Sequence, residues 1–308
     1  MILITGAAGF IGSKVAHKFI DLGYETLTID NLSTGIKKNI PKETVFIKGN
    51  CGDEKTINKL KEYPIEGIIH IAGQSSGEVS FENPVYDLES NTISTILLLD
   101  FARRNGIKRF VLASTMSVYG DEVILPVTEE SITNPKSFYA CGKLASENYL
   151  KIYTNFGIES TSLRLFNVYG PGQNLDNLKQ GMLSIYLAQA LNKNKIIVKG
   201  SKDRFRDFVY IEDVVNAFVS LYFEPWKQYN IYNICSGKPT LVSELLEAIQ
   251  LNLGKKVNIS FQDGTPGDQF GIFGSFDKIN KHIDWKPKVY LNEGLKLMVD
   301  WALNKKND

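Results

Sequence analysis

Tyr139 and Lys143 stand four residues apart in Tyr139-Ala140-Cys141-Gly142-Lys143, at the expected start of a helix. Residues i and i+4 share one helical face. An ammonium beside a phenol favours the phenolate. Tyr139 can then serve as a general base near neutral pH, far below its free value of roughly 10. Ser114-Thr115-Met116-Ser117-Val118-Tyr119-Gly120 directly follows an apolar run that reads as a strand. Thr115 can hydrogen-bond a reacting oxygen and hold it against Tyr139. A Tyr-x-x-x-Lys also arises by chance, so its weight depends on what accompanies it.

A second group of residues can bind phosphate. Gly6-Ala7-Ala8-Gly9-Phe10-Ile11-Gly12 follows the first strand and opens the first helix, with spacing G-x-x-G-x-x-G. Gly6 permits a tight turn, Gly9 lets the backbone approach a pyrophosphate, and Gly12 lets helix and strand pack closely. The helix N-terminus offers N–H groups and partial positive charge to phosphates. Asp30 ends the second strand, about 20 residues on, where a carboxylate takes the adenosine ribose hydroxyls. That carboxylate repels a 2′-phosphate and favours NAD over NADP. Lys37 and Lys38 read as solvated loop residues. An oxidised nicotinamide would add positive charge in favour of the Tyr139 phenolate.

The elements that must position these groups alternate. Residues 2–4, 26–29, 45–47, 67–71, 109–113 and 160–165 read as strands. Residues 11–22, 85–104 and 139–155 read as helices, and 57–60 as the start of a short one. This pattern predicts an α/β fold, a doubly wound parallel sheet with both faces covered. The second half has helices at 183–191, 213–223, 241–252 and 292–303, with Thr240 as an N-cap, and strands at 196–198 and 230–234. It reads as a smaller α/β domain. Gly170-Pro171-Gly172 marks a soft boundary, giving domains 1–170 and 171–308 that interleave.

Composition narrows the function. The chain has 308 residues, 43% hydrophobic and 22% charged, with net charge +1. That is ordinary globular composition, with no global field for nucleic acid or an acidic membrane. No apolar run reaches the ~18 residues of a membrane helix. Three cysteines are too few for a disulfide framework and fit a reducing cytoplasm. His17, His70 and His282 show no metal-ligand spacing, so no metal is expected. His70 ends a strand and reads as a packing residue.

Across nearly its whole length the chain resembles the extended short-chain dehydrogenase/reductase superfamily and its NAD-dependent epimerase/dehydratase family. Within that family it is most similar to nucleotide-sugar 4-epimerases of the UDP-glucose 4-epimerase type. The marks are Thr5-Gly6 to Gly12, Asp30-Asn31-Leu32-Ser33-Thr34-Gly35, His70-Ile71-Ala72-Gly73-Gln74, Ser114 to Gly120, Tyr139 to Lys143, Arg164 to Pro171, Arg206-Asp207-Phe208-Val209-Tyr210, Pro266-Gly267-Asp268 and Trp285-Lys286-Pro287. The resemblance implies Thr115, Tyr139 and Lys143 as the catalytic set. It places NAD against Gly6, Gly9, Phe10, Ile11, Gly12, Asp30, Asn31, Ala72, Gly73, Asn91, Tyr139 and Lys143, with Asn50 and Cys51 at the adenine. Domain 1–170 becomes a Rossmann NAD-binding domain and 171–308 a sugar-nucleotide-binding domain. Asn167 and Arg206 would meet the substrate diphosphate, Asp268 the ribose, and Thr115 the sugar. The outer apolar stripes of helices 85–104 and 139–155 would pair in a homodimer.

Several positions depart from the family pattern. Asn50 stands where an Asp usually meets adenine, Thr265 replaces a basic residue, and Ser75 replaces a Lys. Arg204 or Lys202 can supply the missing diphosphate charge. Related 4,6-dehydratases carry Asp and Glu after the catalytic Thr, but here those positions are Met116 and Ser117. Met cannot ionise and Ser is a poor general acid, so elimination of water is disfavoured. The expected activity is inversion at C4 of a UDP-hexose through a 4-keto intermediate. The competing readings are a nucleotide-sugar dehydrogenase, reductase or dehydratase and, in another class, a non-catalytic NAD-binding redox sensor. The hexose, the nucleotide base and the pathway, whether galactose metabolism or polysaccharide biosynthesis, are not legible.

Overall fold

The computed structural model describes residues 1–121, 124–225, 228–264 and 269–307. Two compact units are built from interleaved segments. Residues 1–118, 137–164 and 215–232 form the first; 119–136, 165–214 and 233–308 form the second.

Strand β1 (Ile2–Thr5) leads through α1 (Phe10–Asp21) to β2 (Thr26–Asp30), β3 (Val45–Lys48), α2 (Glu54–Lys59) and β4 (Gly67–His70). Helices α3 (Gly77–Glu82) and α4 (Pro84–Leu88) precede a π-helical turn, Glu89–Ile93, which runs into α5 (Ser94–Arg104) and β5 (Arg109–Thr115). Then come α6 (Phe138–Tyr153), β6 (Glu159–Leu165), β7 (Asn167–Tyr169), α7 (Met182–Lys193), β8 (Lys195–Lys199) and β9 (Phe205–Tyr210). The remainder is α8 (Ile211–Phe223), β10 (Asn230–Ile234), β11 (Pro239–Leu241), α9 (Val242–Leu253), β12 (Asn258–Gln262), β13 (Gly271–Ile272), α10 (Asp277–Ile283) and α11 (Leu291–Asn307).

Seven strands form the main sheet in the order β10-β6-β5-β4-β1-β2-β3. It is a Rossmann-like α/β sheet, as the alternation predicts. Every residue of β1 and β4 is buried, which is why these strands read as unbroken apolar runs rather than alternating ones. Register aligns Thr5 with Ile29 and with His70, and Asp30 with Lys48. The carboxyl ends of β1, β2 and β4 therefore finish level. Strand order reverses between β1 and β4, and ligands of such sheets bind at that switch point. Leu3, Ile29, Ile68, Leu98 and Phe110 belong to one core cluster behind it. Emptying the Phe110 site would cost about 3–5 kcal/mol.

In the second unit β9 is the hub. It pairs with β11 antiparallel and with β7 and β13 in parallel, while β8 and β12 form a separate parallel pair.

Three local expectations are corrected. The helix expected at 85–104 is interrupted, because the wider turn at Glu89–Ile93 inserts between α4 and α5. Helix α2 starts at Glu54, ahead of its apolar residues, because Asp53 caps it by accepting from Lys55 N at 3.1 Å. The cap of α9 is Leu241 rather than Thr240, which lies in β11; Glu244 reaches back to accept from Leu241 N at 2.8 Å.

Candidate active site

Ser137 starts α6 by accepting from Ala140 N at 3.2 Å. The helix then presents Tyr139, Lys143 and Glu147 at four-residue spacing, while β5 ends in Ser114 and Thr115. Lys143 is 3% exposed, and its ammonium donates to Ala113 O at 3.0 Å. Ser114 Oγ donates to Glu147 Oε1 at 2.5 Å, and Arg164 clamps both Glu147 oxygens at 3.0 and 2.7 Å. Burial pushes Lys143 down to about 8, opposed first by Asp87 and then by Glu147. Burial pushes the Tyr139 phenol up to about 12; a hydrogen bond with Thr115 pulls it down and Asp87 pushes it further up. This direction is opposite to the one expected from the ammonium alone, because desolvation outweighs the other influences.

The glycine turn is built for close approach. Gly6 has φ +73, and a Cβ on Gly12 would collide with Gly6 O. No side chain caps the Gly9 end of α1. Asp30 is 8% exposed, and its carboxylate accepts from Ala8 N at 2.9 Å and Leu32 N at 2.7 Å. A carboxylate has lone pairs left for two further hydroxyls. Asn31 is exposed and accepts from Ser33 N, and Asn50 is exposed and accepts from Gly52 N. Cys51 is buried in the core cluster, with its thiol pushed up to about 12 by burial and by Asp30.

Beyond β4, Thr5 Oγ1 accepts from Ile71 N and Ala72 N at 3.1 and 3.0 Å. Its hydrogen is therefore directed to His70 Nδ1 at 2.8 Å, and His70 Nε2 donates to Ser94 Oγ at 3.1 Å. Burial drives His70 down to about 3, so the ring is neutral. His70 is thus a packing residue with a positioning bond at each nitrogen. Asn91 lies in the π turn, fully buried, donating to Gln74 O at 2.9 Å and Asp87 Oδ1 at 3.2 Å. Its Oδ1 accepts no hydrogen bond among the described residues.

The substrate-side candidates lie in the second unit. Asn167 donates to Asp207 O at 3.0 Å. Arg206 is 3% exposed and donates to Phe205 O, Phe270 O and Gln269 O at 2.7, 3.1 and 2.5 Å. The Asp207 carboxylate accepts from Ser236 N and Oγ, Gly237 N and Gly274 N, and Asp213 Oδ2 accepts from Lys288 N and Val289 N. Asp268 and Thr265 lie outside the described residues.

The model of the NAD dependent epimerase/dehydratase family matches residues 2–235. This chain belongs to that family. It is 37% identical over 306 residues to a putative UDP-glucose 4-epimerase of Methanocaldococcus jannaschii, covering 99% of each chain. The crystal structure of the Thermotoga maritima UDP-glucose 4-epimerase with UDP-glucose superposes with TM-score 0.95 at 32% identity, covering 100% of this chain and 99% of that one. The Thermus thermophilus UDP-glucose 4-epimerase complexed with NAD gives TM-score 0.91 at 33% identity, over 97% and 98% of the two chains.

As a member of the epimerase/dehydratase family, the chain is a nucleotide-sugar enzyme whose cofactor is NAD. The residues present fit that cofactor: a glycine turn that a Cβ would fill, an uncapped helix N-terminus, the Asp30 carboxylate with lone pairs to spare and the unpartnered Asn91 oxygen. Sequence reasoning missed Asp87, which is 1% exposed beside Asn91 and Lys143, and the Ser114–Glu147–Arg164 cluster. The i, i+4 spacing of Asp87 to Asn91 and of Lys143 to Glu147 was the available signal. Among the described residues no helix is long and apolar enough to cross a membrane, and no group of three or more His, Cys, Asp or Glu could hold a metal ion.

Proposed function

We propose that this enzyme is a UDP-hexose 4-epimerase. The observation that carries the reading is the loop at the end of β5. Thr115 ends β5 there and favours ionisation of the Tyr139 phenol, and Met116 and Ser117 occupy the positions at which elimination of water needs carboxylic acids. Bound NAD supplies the acceptor and donor of the C4 hydride and a positive ring that favours the Tyr139 phenolate. Tyr139 takes the C4 hydroxyl proton and gives it back to the same oxygen, while inversion comes from return of hydride to the opposite face of C4. Thr115 holds the sugar oxygen, and Lys143 holds positive charge near the phenol. Asn167, Arg206 and Asp268 anchor the nucleotide while the 4-keto hexose turns over. No other acid or base is required.

The reading also includes a homodimer and a cytoplasmic location. Val85 and Leu88 on α4 and Phe138 and Ile152 on α6 are 64%, 49%, 49% and 54% exposed, an apolar surface that a second copy would cover. Cys51, Cys141 and Cys235 are all free thiols, as in a reducing compartment.

The test is incubation of the purified enzyme with UDP-glucose or UDP-galactose and no added NAD(P)H, followed by chromatography. Interconversion of the two at constant 340 nm absorbance is expected. A stoichiometric absorbance change would make the enzyme a dehydrogenase or reductase, and a 4-keto-6-deoxy product would make it a dehydratase.

A further inference from the structure

We propose that Asp87 is a positioning residue for the Tyr139–Lys143 pair, its carboxylate being the counter-ion that keeps Lys143 an ammonium and the acceptor that aims the Asn91 amide. The inference rests on the reading of Tyr139 and Lys143 as the proton-transfer pair. It starts from an expensive feature, a carboxylate only 1% exposed. Such a group costs stability unless it is paired and hydrogen-bonded.

The bonds are present. Asp87 Oδ1 accepts from Gln74 Nε2 at 2.7 Å and from Asn91 Nδ2 at 3.2 Å. With the amide nitrogen fixed there and on Gln74 O, the opposite oxygen of Asn91 is turned toward Gly73. Asp87 Oδ2 lies on the α6 side, 3.6 Å from where a Cβ on Gly142 would sit, one residue before Lys143. The π turn makes this possible, since its wider backbone carries Asn91 beside Asp87 and against Gly73.

The charges facing this site are few. From α6 they are Lys143, Tyr139 and Glu147, the last held by Arg164. From β4 it is His70, held neutral by burial. From α3 they are Glu78, half-buried, and Glu82, exposed; from α4 and the π turn, Tyr86, half-buried, and Glu89, exposed. Against burial, Asp87 is the largest influence holding the Lys143 proton. It also opposes ionisation of Tyr139. Its own carboxyl is raised by burial and lowered by Gln74, Asn91 and Lys143.

The experiment follows Lys143 by NMR of lysine labelled at Cε, with the Lys143→Met spectrum assigning its signal. In the native protein the midpoint is expected near 8. Asp87→Asn keeps an oxygen for the Gln74 and Asn91 amides and removes the charge. It should lower the midpoint by about one pH unit, and Asp87→Glu should restore it. The pH–rate profile of Asp87→Asn should move toward acid by a similar amount, where a merely structural defect would scale the rate equally at every pH. An unchanged Lys143 midpoint in Asp87→Asn, or an Asp87→Glu midpoint as low as that of the amide, overturns the proposal. Should Asp87→Asn not fold, Asp87→Ser takes its place with the same expectations. The NMR readout needs no sugar nucleotide. A shifted midpoint with no epimerisation would sink the functional reading and leave this one standing.

Discussion

A Cβ on Gly73 would run into Asn91 Oδ1 and come within 3.2 Å of Lys143 Nζ. The loop after β4, the π turn and α6 thus meet at one backbone position that only glycine fills. Gly73→Ala has to displace the Asn91 amide or the lysine. We expect NAD binding to weaken about tenfold or more, a change of roughly 1.4 kcal/mol, with a smaller loss of thermal stability. Fluorescence titration of the cofactor measures it, and an unaltered affinity would remove Gly73 from the cofactor site.

Tyr139→Phe keeps the ring at the start of α6 and removes only the hydroxyl. Turnover should fall by about 10²–10⁴, the usual worth of a general base. Asp30, the glycine turn and Asn91 are untouched, so the variant should still hold NAD, read by absorbance after release from denatured protein. Undiminished epimerisation would reject the phenol as the base.

His70 gives a pH dependence whose sign is fixed by burial. Its folded value, about 3, lies below its ordinary value of 6.5. Between these values the unfolded chain binds a proton that the folded chain refuses. The stabilisation is fully present above pH 6.5 and is lost as pH falls toward 3, at about 1.4 kcal/mol per unit. Denaturant melts at pH 5 and pH 7 should therefore converge in His70→Gln relative to the native protein. Equal pH sensitivity in the two proteins would mean that another group carries the acid lability.

Strands β1, β4 and β5 were legible because a buried parallel strand is a continuous apolar run bounded by turn residues, as in Ile2-Leu3-Ile4-Thr5-Gly6. The glycine turn, Asp30 and the Tyr139–Lys143 spacing were legible because each is local. The π turn was not. A one-residue widening at Glu89–Ile93 leaves the apolar periodicity of 85–104 nearly intact. Asp87 offered only its four-residue spacing to Asn91, and a carboxylate on a helix reads as surface until the fold buries it. Strand β9 was hidden by its charges. Arg206 and Asp207 are buried because carbonyls of Gln269 and Phe270, and N–H groups of Ser236 and Gly237, come from far along the chain to meet them.

The apolar side chains on the outer faces of α4 and α6 make association testable without knowing the substrate. Val85→Glu with Ile152→Glu places two charges on a surface that a second copy would otherwise bury. The native protein is expected to sediment as a dimer and the double variant as a monomer with an unchanged circular dichroism spectrum. A native protein that sediments as a monomer at all concentrations would reject the homodimer.

The Arg164–Glu147 pair, its carboxylate one helical turn beyond Lys143 on α6, has side chains 4% and 2% exposed and a 2.7 Å contact. Desolvation makes such a pair expensive to form and more expensive to break. Arg164→Met leaves the Glu147 carboxylate buried with Ser114 Oγ but without its cation, and should cost about 3–5 kcal/mol. Adding Glu147→Leu removes the stranded charge and should recover most of that loss, since an apolar pair of similar volume is often neutral or better. Function should separate from stability. The double variant has no carboxylate for Ser114, and Glu147 no longer helps Lys143 keep its proton. Its pH–rate profile should therefore move toward acid while its denaturant midpoint approaches the native one. A double variant as unstable as Arg164→Met would show that packing around the guanidinium, and not the uncompensated carboxylate, dominates this part of the core.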